Sequence, residues 1–270
     1  MASLQTYKRR IKSIDGTANI ARAMELVSSV KLKKLRNKYD LSINYLNTLE
    51  IVINEVLSLS ELNPKIKDDS INVNIVITSN LGLCGQYNEE MLKLVSKEHK
   101  AEASYIVFGE KGRSFLKNNG YEILLSYSEY GNFENRGIQD EFGDKLFNLV
   151  KEGKLKSINV FYTKYINNLK YETTKEQIFP FNTKEKKTNI NYLIEPNNQV
   201  MIEQLLAMLI KTKINSILLN SILSENASRN NAMKDAKDNA EELKEELTLI
   251  YNKMRQQQIT SELSDIVNGM

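Results

Sequence analysis

The six residues Asn80-Leu81-Gly82-Leu83-Cys84-Gly85 follow a β-branched run and precede a helical pattern, the place where an α/β unit builds a backbone-lined anion site. Their spacing matches neither the dinucleotide-binding nor the phosphate-loop pattern, and no lysine follows as a phosphate clamp. The same residues suit a tight strand-to-helix turn, and Gly109-Glu110-Lys111-Gly112 reads the same way. Cys84 is the one thiol, and nothing basic adjoins it in sequence to lower its pKa. His99, the one histidine, sits among Lys97, Glu98 and Lys100 and reads as a surface residue on a polar helix end. Acidic residues near the C-terminus recur in blocks, which suits a solvated helix surface better than a general acid and base pair. A zinc site of histidine and cysteine ligands is ruled out by their counts. The chain therefore offers no catalytic constellation, no metal site and no cofactor motif.

What positions these turns is a domain held between two long helical patterns. Residues 199–267 contain neither proline nor glycine, and Ile222, Met233, Ala236, Ala240, Leu243, Leu247, Ile250 and Met254 share one three-four spacing, a coiled-coil seam. As one helix this segment runs roughly 100 Å, against a radius of gyration of about 18 Å for a compact chain of this length. Asn226 and Arg229 take polar seam positions, where a side chain either fixes register or reaches outside the pair. At the other end, residues 2–63 hold no proline and one glycine, Gly16, and apolar residues step at three and four from Leu4 to Ala21 and again from Leu35 to Val56. Between Met24 and Lys31 the register is expected to slip, with local unwinding. An antiparallel pair of the two helices is the simplest arrangement.

The middle differs in kind. Nine of the 11 glycines lie between Gly82 and Gly153, and they bound strand-like runs at 71–78, 104–108, 123–127 and 157–163. Helical patterns at 89–98, 112–118 and 139–151 alternate with them, so an α/β domain with a largely parallel, Rossmann-like sheet is predicted over 70–195. Residues 170–181 add a candidate edge strand ending at Pro180. The expected division is thus an N-terminal shaft helix over 1–63, the α/β domain over 70–195, and a C-terminal shaft helix over 199–268.

Composition excludes several classes. Hydrophobic residues make up 41% and charged residues 26%, an ordinary soluble balance, and no apolar run of about eighteen residues is expected to span a bilayer. Tyr7, Lys8, Arg9 and Arg10 interrupt any signal-peptide core. The single cysteine excludes an internal disulfide and fits a reducing, cytosolic compartment. Between Leu4 and Lys38 ten basic residues face two acidic ones, although the whole chain carries only +3. That helix is either a solvated face or a surface for an acidic partner, protein or nucleic acid. Six acids against three lysines at 234–246 offer partial compensation across the pair.

After Met254 the seam gives way to Arg255-Gln256-Gln257-Gln258 before apolar residues resume at Ile259, Leu263, Ile266 and Val267, which favours a change of partner. Around this break the residues carry a resemblance. Ser224 to Met233 (SENASRNNAM), Leu249 to Gln256 (LIYNKMRQ), Ile259 to Leu263 (ITSEL) and Ile266-Val267-Asn268-Gly269 resemble the C-terminal signature of F-type ATP synthase gamma subunits. The opening is similar as well, in Arg9 to Ile14 (RRIKSI), Ile20 to Val27 (IARAMELV) and Lys31-Leu32, and Gly82-Leu83-Cys84-Gly85 falls where that family places the same four residues.

The resemblance implies a non-catalytic rotor shaft, an antiparallel coiled coil inside a ring of alternating alpha and beta subunits, one copy per three pairs. It implies an inserted α/β domain beside an epsilon subunit and the membrane rotor ring, on the inner face of the cell membrane, with no nucleotide, nucleic acid or cofactor bound. Arg255, Gln256, Thr260 and Glu262 match the family's polar contact with a beta subunit, and Met24 and Arg229 fall at coupling positions of the neighbouring surface. Met24 equally reads as a core methionine on an apolar stripe. Asn80 and Leu81 replace the family's usual Asp and Arg, and Gln86 replaces a glycine, so contact with the membrane rotor is less well supported than the shaft. A diverged ATPase driving something other than proton translocation, a basic arm for nucleic acid, and an enzyme with its site at Gly82 to Gly85 stand as alternatives.

Overall fold

The alternation of long glycine-poor and short glycine-bounded patterns folds into two long helices and one sheet. The computed structural model describes residues 3–57, 66–128, 130, 137–181 and 198–268. Helix α1 is Leu4–Leu57, followed by β1 (Ile71–Ile77), α2 (Tyr87–Glu98), β2 (Ala103–Phe108), α3 (Glu110–Asn118), β3 (Ile123–Tyr127), α4 (Gly137–Lys151), β4 (Leu155–Tyr165), β5 (Tyr171–Phe179) and α5 (Asn198–Asn268). Every strand and helix anticipated from the pattern is present within a few residues. The edge strand is β5, paired antiparallel to β4. Residues 58–63, expected to extend the first helix, lie outside the described residues, as do 182–195 of the expected α/β span.

By packing, the chain divides into two compact units, Met1–Val30 with Arg229–Met270, and Lys31–Ser228. In the second unit the sheet order is β3-β2-β1-β4-β5, parallel except for the last pair. Side chains alternate faces with the period of two that a pleated strand imposes. Val73, Ile75, Ile77, Ile106, Phe108, Ile158 and Val160 point to one core with Leu32 and Leu35 of α1, Phe142 and Leu146 of α4, and Ile210, Ile214 and Leu218 of α5. Val76, Tyr105, Val107 and Phe161 point to the other, beneath Met91 and Val95 of α2 and Leu116 of α3. A third cluster joins Leu46, Leu49 and Ile53 of α1 to Ile202, Leu206 and Leu209 of α5. These apolar contacts explain why 61% of the most apolar window in α5 is buried. By length and composition alone that stretch is sufficient to cross a bilayer, which corrects the reading that no such run exists; its Ile, Leu and Met serve a protein core.

The first unit is an antiparallel two-helix coil. Ser3 starts α1 by accepting the Thr6 amide on its Oγ at 3.3 Å, satisfying a donor that the first turn leaves open. Leu4, Tyr7, Ile11 and Ile14 are half-buried, and Ala18 and Ala21 are buried. The slip expected between Met24 and Lys31 does not occur. The three-four step passes through Glu25 and Ser28, the latter 1% exposed, so the repeat is unbroken but carries polar residues that an apolar count overlooks. On α5, Met233 and Ala240 are buried and Ala236, Leu247, Ile250 and Met254 half-buried. Leu243 departs from the expected seam at 45% exposure, and its half-buried neighbour Lys244 meets Asp15 at 2.5 Å.

Candidate partner-contact surface

Ion pairs register the coil of the first unit. Besides Lys244 and Asp15, Arg22 meets Glu241 at 2.6 Å and Lys237 meets Glu25 at 3.3 Å. Asp238 and then Glu25, both hydrogen-bonded to it, hold the Lys237 amine above its ordinary value. Two of these three pairs join lysines of α5 to acids of α1, the reverse of the compensation expected from the charge excess, and the third, Arg22 with Glu241, draws on that excess. Lys8, Arg9, Arg10 and Lys12 stay exposed. The basic face of α1 thus remains available to an acidic partner.

The same register explains the broken seam. Asp15 opposite Lys244 in an antiparallel pair puts Leu4, the first residue of α1, opposite about Arg255, since each residue advances both helices by about 1.5 Å. Past Met254 every described side chain through Asp265 is exposed, including the apolar Ile259 and Leu263. The polar run therefore begins where α1 has run out, and α5 continues as a single helix. Its side chains bond within the helix: the Thr260 hydroxyl donates to the Gln256 carbonyl at 2.9 Å, and Gln258 donates to Glu262 at 2.9 Å. Arg255, Gln256, Thr260 and Glu262 share this overhang. The side chains of Ile266 and Val267 lie outside the described residues.

Met24 and Arg229 form a separate place. Met24 is half-buried, Arg229 is 9% exposed, and between them the Asn230 amide donates to the Glu25 carbonyl at 2.9 Å. At about 1.5 Å per residue, Arg229 and Arg255 lie roughly 40 Å apart along α5. The six candidate residues are thus two clusters and not one patch.

In the second unit the glycine turns answer the question of a nucleotide site. A doubly wound sheet binds ligands where strand order reverses, here at the carboxyl ends of β1 and β4. That crevice is occupied by α5. The Ser228 hydroxyl donates to the Cys84 carbonyl at 2.6 Å, Ser224 donates to the Thr163 carbonyl at 2.9 Å, and the Tyr165 amide donates to Asn220 at 2.6 Å. The hydroxyls of Tyr87 and Ser221 meet at 2.7 Å. Asn80 ties the turn to its neighbours, donating to the Ser128 carbonyl at 2.5 Å and accepting the Glu110 amide at 3.1 Å. Cys84 is buried, within 3.2 Å of the Asn88 amide nitrogen. His99 is no free surface residue either: its ring stacks on Tyr121 at 3.9 Å and its Nδ1 lies 2.8 Å from the Tyr105 hydroxyl. Asn226, weighed as a register device, donates to Ile222 of its own helix at 2.8 Å.

The ATP synthase family model matches residues 3–270. The ATP synthase gamma chain of Fusobacterium nucleatum is 32% identical over 281 residues, covering 100% of this chain and 99% of its own. That of Clostridium beijerinckii is 33% identical over 276 residues, covering 99% and 97%. The chain belongs to the ATP synthase gamma-chain family. As such it has the role of central rotor shaft. Its fold is also that of a chain in a solved structure of the Euglena gracilis mitochondrial ATP synthase rotor, which superposes with a TM-score of 0.69 at 14% identity, covering 95% of this chain and 98% of that one.

Of the gamma-family signature at 224–233, Ser224, Ala227 and Ser228 are buried in the second unit, while Arg229 and Met233 belong to the first. Asn220 and Ser221 were passed over in the sequence, and Ser224 and Ser228 entered it only as part of the signature, with no structural role given to them. The signal for them was present, as small polar residues at three-four spacing inside the most apolar part of the last helix. Buried hydroxyls and amides at such spacing need partners on one side of the helix.

Proposed function

We propose that this chain is the non-catalytic shaft of an F-type ATPase, peripheral on the cytoplasmic face of a membrane through its complex, turning within a head of three alpha–beta pairs. An epsilon subunit and a membrane rotor ring bind its α/β domain. The observation that carries the reading is the single helix α5, 71 residues long, which outlasts its coil partner at the point where the family's contact residues begin. An α5 that fills the sheet's own ligand crevice supports a role without nucleotide chemistry. Each rotor orientation favours one set of conformations in the surrounding subunits, so rotation and nucleotide occupancy are coupled reciprocally.

Mixing the chain with partner alpha and beta subunits is expected to yield one copy per three pairs by native mass spectrometry. Equal copies of the three chains would overturn the shaft reading. In this role Arg255, Gln256, Thr260 and Glu262 reach a beta subunit from the overhang, and Met24 and Arg229 act at the nearer cluster. Arg255→Ala with Gln256→Ala is expected to lower coupled turnover of the reconstituted complex by about tenfold, within the usual span of coupling energies. Both side chains are exposed, so the helicity of the isolated chain should not change. Wild-type turnover in the double variant would remove these two residues from the contact.

A further inference from the structure

Apolar packing alone holds a helix on a sheet poorly against twisting, because burial energy has no direction and a helix can turn or slide over a greasy face at modest cost. Hydrogen bonds are different, since their strength falls steeply with distance and angle. Asn220, Ser221, Ser224 and Ser228 lie on one stripe of α5, each no more than 5% exposed, and each bonds outward from its helix. Their partners are spread over three elements. Thr163 and Tyr165 belong to β4, Cys84 to the turn after β1, and Tyr87 to the first turn of α2. The Ser228 oxygen also lies 3.1 Å from the Tyr171 hydroxyl of β5. Rotating α5 about its axis, or sliding it by one residue, breaks all of these bonds together.

We infer that Asn220, Ser221, Ser224 and Ser228 form the joint that carries torque between α5 and the α/β domain. The inference rests on the rotor reading and adds to it the place where twist passes from helix to sheet. These residues are buried within the chain and bond to its own sheet and turns. They are positioning residues, whose work is to keep the helix from slipping under load. The stripe sits among Ile and Leu of the same helix, and its directional bonds to partners fixed in the sheet and its turns resist a turning force that apolar contact alone resists poorly.

The test uses Asn220→Ala with Ser224→Ala, and separately Tyr87→Phe, which removes one hydroxyl and keeps the ring. In the full-length chain alone, exchange of the Tyr165 amide hydrogen is expected to quicken by about a hundredfold in the double variant, as two directional bonds and their shared protection are lost. In complexes reconstituted into vesicles, ATP hydrolysis is expected to stay within about twofold of wild type, while ions pumped per ATP against an imposed gradient fall by roughly fivefold. Tyr87→Phe should shift both readouts in the same direction by less. Pumping per ATP equal to wild type in the double variant, or in Tyr87→Phe should the double variant not fold, overturns the joint. A wild-type chain that assembles with no alpha and beta subunits would instead overturn the rotor reading, leaving the exchange result to stand by itself.

Discussion

Gly109→Ala is expected to cost about 4 kcal/mol of folding stability, through backbone strain and through overlap that the sheet cannot relieve. Gly109 sits between β2 and α3 at a φ of 100°, where a side chain is disfavoured whatever the space. A Cβ there would also stand 2.7 Å from both the carbonyl carbon and the Oγ1 of Thr78, and closer still to the Thr78 carbonyl oxygen. Those atoms cannot retreat. The Thr78 amide donates to the Phe108 carbonyl at 2.8 Å, its Oγ1 accepts the Gly112 amide at 2.8 Å, and the Gly109 amide donates to Tyr127 at 2.9 Å. Urea unfolding of the full-length chain should show the midpoint move with an unchanged slope. Gly120 supplies the comparison, with a φ of 72° and nothing within 4 Å of a Cβ, so Gly120→Ala should cost only about 1 kcal/mol. Equal costs at the two positions would refute the steric account.

Phe108→Ala is expected to cost a further class of stability, about 4 kcal/mol from lost burial and the cavity left behind. Phe108 is 1% exposed and lies against Tyr127 at 4.9 Å between ring centroids, Phe142 at 5.1 Å and Tyr130 at 5.5 Å. The last two contacts are edge-to-face, the arrangement that adds to area burial. Its core also contains Ile214 and Leu218 of α5, so the loss should loosen that helix along with α4. Phe108→Leu, which refills most of the space, should cost about a third as much. Calorimetry that put the alanine variant within 1 kcal/mol of wild type, a span typical of exposed positions, would contradict the packing described.

Much of this fold was legible because its signals are local. Strands β1 and β2 announce themselves by β-branched runs, and glycines stand at the turns that end them. The misreadings have a common cause, which is that polarity was taken as a proxy for exposure. Ser28 and Glu25 interrupt the apolar repeat of α1 without interrupting its packing, because a serine is small enough to bury and a glutamate can meet Lys237. Leu243 fits the apolar frame, yet it is 45% exposed, while the half-buried Lys244 beside it sets its amine on Asp15. His99 looked solvated among charges but finds Tyr105 of β2 and Tyr121 of the turn before β3, ring contacts that the charges flanking it in sequence conceal. The site was legible in part. The break at Arg255 could be seen in the seam, but its cause, the first residue of α1 arriving opposite it, required the register of the pair. The serine stripe required knowledge of where β1 and β4 end.

The crevice filled by α5 also bears on the thermodynamics of the sheet. In a nucleotide-binding relative of this architecture, stability rises with ligand concentration and falls when the ligand is withdrawn. Here the occupant is covalently attached, at an effective concentration that for a tethered segment is on the order of millimolar, and it cannot be diluted away. The sheet therefore carries a helix of its own chain at the place where such a relative carries a metabolite.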